Sequence, residues 1–409
     1  MQIMQAGRGM KERNLLVVQG GGPTQVLNTT LAAIVSEART LHGFRHILGA
    51  RLGMKGVCEG VAVDLSLLND GDLENLRCTP GAALGSSRFK PSENDLARAV
   101  DHLQNLSVQD LLFIGGNGTM QGAVVFQRSC HDAGYDVRVV GVPKTVDNDI
   151  AVTDRCPGYG STARYVAQST RDLGMDVRSL PQPVSILETM GRSVGWLAAA
   201  SAAGKRDEND APHLVYVPEQ PFVMEEFLAD VESAVAKRGW AIVVVAEGIR
   251  DKTGELVYQT DDPAQSDPLK RPLTGGVAQF LAENVAHSLK MRCRSEKPGL
   301  LGRSSMLHVS SQDLQDADLV GRAALRGLLD GETSRMVSLC PLSVAEGTGY
   351  EFIDLREVAG VERAIPPEWL QDAPVPAREP FFEYLRPLIG ELLPCGTPLP
   401  WERASFGDV

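Results

Sequence analysis

Short apolar runs recur along the chain at Leu15 to Gln19, Leu111 to Ile114, Val137 to Val142, Val184 to Glu188, Leu214 to Val217 and Ala241 to Val245. They are rich in Val, Ile and Leu with little polar alternation, the pattern of strands covered on both faces. Between them the apolar residues shift to helical spacing, as in Val26 to Ile34, Asp95 to Leu103, Ala163 to Leu173 and Val194 to Ala203. This alternation predicts an α/β protein: a mostly parallel sheet with helices on both faces, built twice. The first domain is expected over residues 14–176 and the second over residues 180–310. The segment Asp313 to Val337 keeps a helical spacing of Ala and Leu. Residues 346–409 are richer in proline and weaker in periodicity, a loose tail or an extension packed on the body.

At 409 residues the chain can bury two cores of ordinary size. Forty Lys and Arg against 52 Asp and Glu give a net charge of −12, which argues against a general nucleic-acid binder or an anionic-membrane binder. A small anionic substrate remains compatible, because a local cluster of Arg and Lys attracts it whatever the total charge. No stretch is apolar for the roughly 18 residues of a membrane span. The seven cysteines are scattered with no C-x-x-C pair, the usage of reduced, cytoplasmic thiols. Met1 to Arg13 carry basic residues but no continuous apolar core, so they read as a leader and not a signal peptide. The histidines are dispersed away from the strand ends, which leaves no pattern for a His-based metal site or a Ser-His-Asp triad.

The loops after three of the strands carry the chemistry. Leu15 to Gln19 runs into Gly20-Gly21-Gly22-Pro23-Thr24, and Leu111 to Ile114 into Gly115-Gly116-Asn117-Gly118-Thr119. Glycines between a strand and a helix let backbone N–H groups approach a phosphate at the positive end of the helix dipole. Val137 to Val142 ends in Pro143-Lys144-Thr145-Val146-Asp147-Asn148-Asp149, which sets a cation, a hydroxyl and two carboxylates within one turn. Phosphoryl transfer to an alcohol needs that assortment: a carboxylate to take the proton, and positive charge to offset the phosphate. Each loop alone reads equally well as a tight turn with a capping Asp. Three of them after short strands predict one crevice at the carboxyl edge of a parallel sheet.

Gly21-Gly22, Gly115 to Thr119, Pro143 to Asp149 and Met190-Gly191-Arg192 stand in the order and spacing of the phosphofructokinases, and the chain resembles that family from Asn14 onward. Gly-Gly-x-Gly-Thr also occurs in NAD and diacylglycerol kinases, whereas the Pro-Lys-Thr-Val-Asp-Asn-Asp loop and the downstream Met-Gly-Arg point to phosphofructokinases. The resemblance implies two Rossmann-like three-layer domains, with residues 313–345 crossing back to complete the first. It also implies an extension like that of the shorter bacterial pyrophosphate-dependent members. On this resemblance Asp147 is the base for the 1-hydroxyl of fructose 6-phosphate, Thr145 donates to the transferring phosphoryl group, and Arg88 reaches it. Gly21, Gly22, Asn117, Gly118 and Thr119 bind the donor, and Asn117 and Asp149 hold Mg2+. Met190, Gly191 and Arg192 grip the sugar phosphate, Glu247 accepts its hydroxyls and Arg303 binds its 6-phosphate. A cytoplasmic homodimer or homotetramer is expected.

Three positions depart from the family pattern. Gly302 replaces a glutamine beside Arg303, Pro183 replaces an intersubunit arginine of ATP-dependent enzymes, and Asn117 replaces a metal-binding aspartate common in the family. Lys144 favours pyrophosphate as donor, because many ATP-dependent members have glycine there. Gly118 points the other way, since pyrophosphate enzymes usually carry an obstructing aspartate. Pyrophosphate is the preferred reading and ATP the alternative. A NAD- or lipid-kinase-like enzyme, which leaves Lys144 to Asp149 without a role, and a non-catalytic sugar-phosphate-binding subunit are the remaining readings.

Overall fold

The computed structural model describes residues 13–180, 184–259, 275–343 and 347–396. Among them are two sheets. The larger holds β1 (Asn14–Gln19), β2 (Ile47–Ala50), β3 (Ala62–Asp64), β4 (Val108–Gly115), β5 (Arg138–Pro143), β10 (Arg335–Leu339) and β11 (Tyr350–Asp354), in the order β11-β10-β5-β4-β1-β2-β3. Only the β2–β3 and β10–β11 pairs are antiparallel. The smaller sheet is wholly parallel, with β6 (Val184–Thr189), β7 (Leu214–Tyr216), β8 (Ala241–Ala246) and β9 (Cys293–Glu296) in the order β7-β8-β6-β9.

The two-residue repeat of a strand explains why the apolar runs are continuous. On β1, Leu15 and Val17 join Leu112, Ile114, Val140 and Val142 against helices Leu27–Leu41 and Ser311–Asp330. Leu16 and Val18 point the opposite way, joining Leu111, Phe113 and Val139 against helices Glu93–Asn105 and Asn117–Asp132. Both faces are therefore largely dry, with Gln19 and Asp110 as buried polar exceptions. The smaller sheet is covered in the same manner, with Ile186, Leu187 and Ile242 to Ala246 packed among side chains of helices Tyr159–Arg178, Met224–Arg238 and Val277–Leu289.

After helix Ser311–Asp330 the chain rejoins the larger sheet through β10, which lies parallel to β5 with Met336 opposite Gly141. The helical reading of Asp313 to Val337 is therefore corrected at its end. Gly331, at φ +101°, caps the helix, and Arg335 to Val337 are already strand. Of the two readings of the C-terminal stretch, the loose tail does not hold for the described residues. Tyr350–Asp354 forms the sheet edge, and helix Glu379–Ile389 buries Phe381, Leu385, Leu388 and Ile389 in the core of the smaller half. Each such side chain contributes roughly 1.5–3 kcal/mol by burial. Pro183 and residues 397–409 lie outside the described residues.

Candidate active site

β4 pairs in parallel with both β1 and β5, with Gln19 opposite Ile114 and Gly115 opposite Pro143. The loops leaving these strands therefore meet at one edge of the sheet. Their glycines are needed for contact: a Cβ on Gly20 or Gly115 would lie 2.4 or 2.2 Å from the hydroxyl of Thr119. Gly21 turns at φ +71°, and Ser86 donates to its carbonyl at 2.6 Å, tying in the loop that carries the exposed Arg88. Gly116 precedes helix Asn117–Asp132, whose N-terminus faces the crevice, and a Cβ on Gly118 would touch nothing within 4 Å.

Lys144 is buried, and its ammonium donates to the carbonyls of Gly20 at 2.9 Å and Gly22 at 2.5 Å. It fixes the glycine loop from beneath. Burial, reinforced by Arg303, pulls its pKa down to about 8, while Asp147 and Asp149 act in the opposite direction.

Thr145 accepts from the Asp147 N–H at 3.1 Å and hydrogen-bonds the Asp149 carboxylate, so its hydroxyl organises the loop in this state. Asn117 donates to the backbone carbonyl of Asp149 at 2.9 Å and to its carboxylate at 3.2 Å. Three enclosed oxygens are left without a donor: Asn117 Oδ1, Asp147 Oδ1 and Asp149 Oδ1. Unsatisfied oxygens of this kind suit a hard divalent cation, so Asn117 and Asp149 fit the metal role predicted for them. Burial raises the Asp147 carboxyl, as do Asp149 and Glu247, while Arg303 and Lys144 counter the shift. Glu247 and Arg303 are therefore near enough for their charges to act on the Asp147 carboxyl.

The sugar side is built in the same way from adjacent parallel strands, with Thr189 of β6 opposite Ala246 of β8. The Glu247 N–H donates to Thr189 at 2.9 Å and the Gly248 N–H to Gly191 at 3.1 Å, joining Met190-Gly191-Arg192 to the Glu247 segment. Gly191 turns at φ +128°, and a Cβ on Gly248 would sit 1.8 Å from the Arg192 carbonyl. The guanidinium of Arg192 has no hydrogen bond or ion pair with another described residue.

Arg303 ends the turn Gly299–Arg303, which Gln25 holds by donating to the Gly302 carbonyl at 3.0 Å. Its guanidinium lies over Gly22, where a Cβ would meet Nη1 at 2.6 Å, and close enough to Arg88 for that charge to add to the effect of burial in lowering its pKa. It therefore stands between the donor loop and the sugar side. A Cβ on Gly302 would meet Tyr165 at an ordinary 3.5 Å, so the backbone does not require glycine there.

Glu188 is a site-supporting residue that the sequence reading left unassigned. It is buried at the end of β6 and accepts from the N–H groups of Gly276 at 2.8 Å and Ala278 at 3.1 Å, with Lys297 at 3.2 Å. It clamps the start of helix Val277–Leu289 beside the Met190 segment. A glutamate closing an apolar strand was the available signal.

Facing parallel-sheet edges, one lined with glycine loops and buried carboxylates and the other with arginines and a glutamate, define a phosphotransferase-type crevice. The family model described as phosphofructokinase matches residues 14–326, and the chain belongs to that family. It is 36% identical to the pyrophosphate–fructose 6-phosphate 1-phosphotransferase of Xanthomonas campestris pv. campestris, over 93% of this chain and 92% of that protein. It is 37% identical to a sulfofructose kinase of Alkalicoccus urumqiensis, over 78% of this chain and 82% of that one. A solved pyrophosphate-dependent phosphofructokinase from Nitrosospira multiformis superposes with a TM-score of 0.83 at 30% identity, covering 95% of each chain.

Proposed function

We propose that this protein phosphorylates fructose 6-phosphate at its 1-hydroxyl, giving fructose 1,6-bisphosphate in glycolysis, with magnesium pyrophosphate as donor. The observation that carries the reading is Asp147 Oδ1, enclosed and without a donor where the glycine loops meet Glu247 and Arg303. Asp147 takes the hydroxyl proton as the sugar oxygen forms its bond to phosphorus. The bridging P–O bond of the donor breaks and orthophosphate leaves. Burial keeps this carboxyl close to working pH, where a base is most effective, and Arg303 and Lys144 favour its ionised form. Asn117 and Asp149 would hold magnesium, which offsets negative charge on the donor. Arg88 adds charge at the reacting group, while Arg303, Arg192 and Glu247 receive the sugar phosphate.

Lys144 and the pyrophosphate-dependent relatives support the choice of donor; the open space at Gly118 leaves a larger donor sterically possible. The test is product formation from fructose 6-phosphate with magnesium pyrophosphate and, separately, with magnesium ATP. Sulfofructose is offered as a competing acceptor. Turnover with pyrophosphate and fructose 6-phosphate is expected. Turnover with ATP alone, or with sulfofructose in strong preference, overturns the donor or the acceptor respectively.

A further inference from the structure

The loop that carries Asp147 is held from behind by the C-terminal segment. Asn148, between the two carboxylates, is fully buried and left-handed at φ +56°, a conformation that a non-glycine residue keeps only when its surroundings enforce it. Both ends of its amide are engaged. Oδ1 accepts from the Cys156 N–H at 3.0 Å, and Nδ2 donates to Tyr384 Oη at 2.8 Å. That hydroxyl in turn donates to the Asp154 carbonyl at 2.9 Å. Next to it, the Arg363 N–H donates to the Asp149 carbonyl at 2.8 Å, and Ile150 pairs with Glu362. The Tyr384 ring is fixed between Trp196 and Trp369, at centroid distances of 5.5 and 5.3 Å. Its phenol is pushed up to about 12, chiefly by burial, so it stays neutral and both donates and accepts.

Resting on the function proposed above, we infer that Tyr384 is a positioning residue for the phosphoryl transfer: its hydroxyl locks Asn148 and so aims Asp147 and Asp149 into the crevice. Misplacement by about 1 Å from a distant change can cost on the order of 10²-fold in rate. A group acting in this way should affect kcat and spare ground-state binding.

The test is Tyr384→Phe, which keeps the ring and removes one oxygen. We expect kcat to fall by about tenfold or more, with the KM for fructose 6-phosphate within about twofold. Asn148→Gly, which accepts the left-handed backbone but loses both side-chain bonds, should show the same pattern, and the double variant should fall little further. Arg386→Ala, on the same helix and exposed, is the control and should behave as wild type. Wild-type kcat in either single variant, fully additive losses, or a KM that rises as much as kcat falls overturns the positioning role. Failure of the unmodified protein to turn over pyrophosphate and fructose 6-phosphate overturns the underlying reading, and this one with it.

Discussion

The two edges of the crevice are prepared differently. On the seven-stranded side the polar side chains are bound to one another: Lys144 to the carbonyls of Gly20 and Gly22, Asn117 to Asp149, and Thr145 to Asp147 and Asp149. What they leave over are oxygens. On the four-stranded side, Arg192 and the incoming Arg303 have no hydrogen bond or ion pair with another described residue. One edge leaves buried oxygens without donors, and the other leaves guanidinium groups without acceptors among the described residues. A metal-bearing donor and an anionic sugar are the complement of that pair, and preorganised charge of this kind is where catalysis gains most. On the proposed function, the donor side is set in advance and the sugar side is completed by its substrate.

A substitution at the base puts this contrast under the greatest load. Asp147→Ser should reduce kcat by about 10²-fold or more while leaving the KM for fructose 6-phosphate within a few-fold. Steady-state kinetics decide, and wild-type turnover removes the assignment. The next effect is expected at Lys144. Lys144→Gly frees two carbonyls and empties the floor of the loop, so kcat/KM for pyrophosphate should fall by about tenfold or more, the scale of a lost charge-assisted hydrogen bond. Because Gly118 leaves space, some ATP use should appear; undiminished pyrophosphate activity would show that the ammonium serves only the fold.

On the other edge, Arg303→Ala removes a cation that no described side chain binds. The KM for fructose 6-phosphate should rise about tenfold, with a smaller loss in kcat because the guanidinium's charge also acts on Asp147. An unchanged KM would place the sugar phosphate elsewhere and leave Arg303 as a donor-side residue.

These tests fall mainly on residues that were legible in the sequence, for a physical reason. Strands β1, β4, β5, β6 and β8 are dry on both faces, so each leaves an apolar run, and the functional loops lie directly after such runs. β3 and β9, at sheet edges, have exposed or half-exposed residues and read as Ala-Val-Asp and Cys-Arg-Ser-Glu, which carry no such signature. Long-range contacts were equally silent. Nothing local in the sequence shows that Arg303 lies over Gly22, that Glu188 caps a helix beginning at Val277, or that Tyr384 reaches Asn148 across 236 positions. The residue types marked the chemistry, and packing supplied the geometry.

A finer measurement asks whether the two edges communicate through charge. Asp147 must be ionised to accept a proton, and burial with Asp149 and Glu247 raises its pKa above the ordinary carboxylate range. Activity should therefore disappear on acidification at a higher pH than an exposed aspartate would give, and the kcat/KM profile of the free enzyme reports that limb. Glu247→Gln removes one negative neighbour from the sugar edge. The protonated form of Asp147 then loses part of its advantage, and the acid limb should move to lower pH. Arg303 acts with the opposite sign, so Arg303→Ala should move the same limb to higher pH. Glu247 is one contributor behind burial and Asp149, which is why its shift is expected to be small. Shifts of opposite sign in the two variants would tie both residues to the base across the crevice, whereas a limb that stays fixed in both would mean that Asp147 titrates independently of the sugar edge.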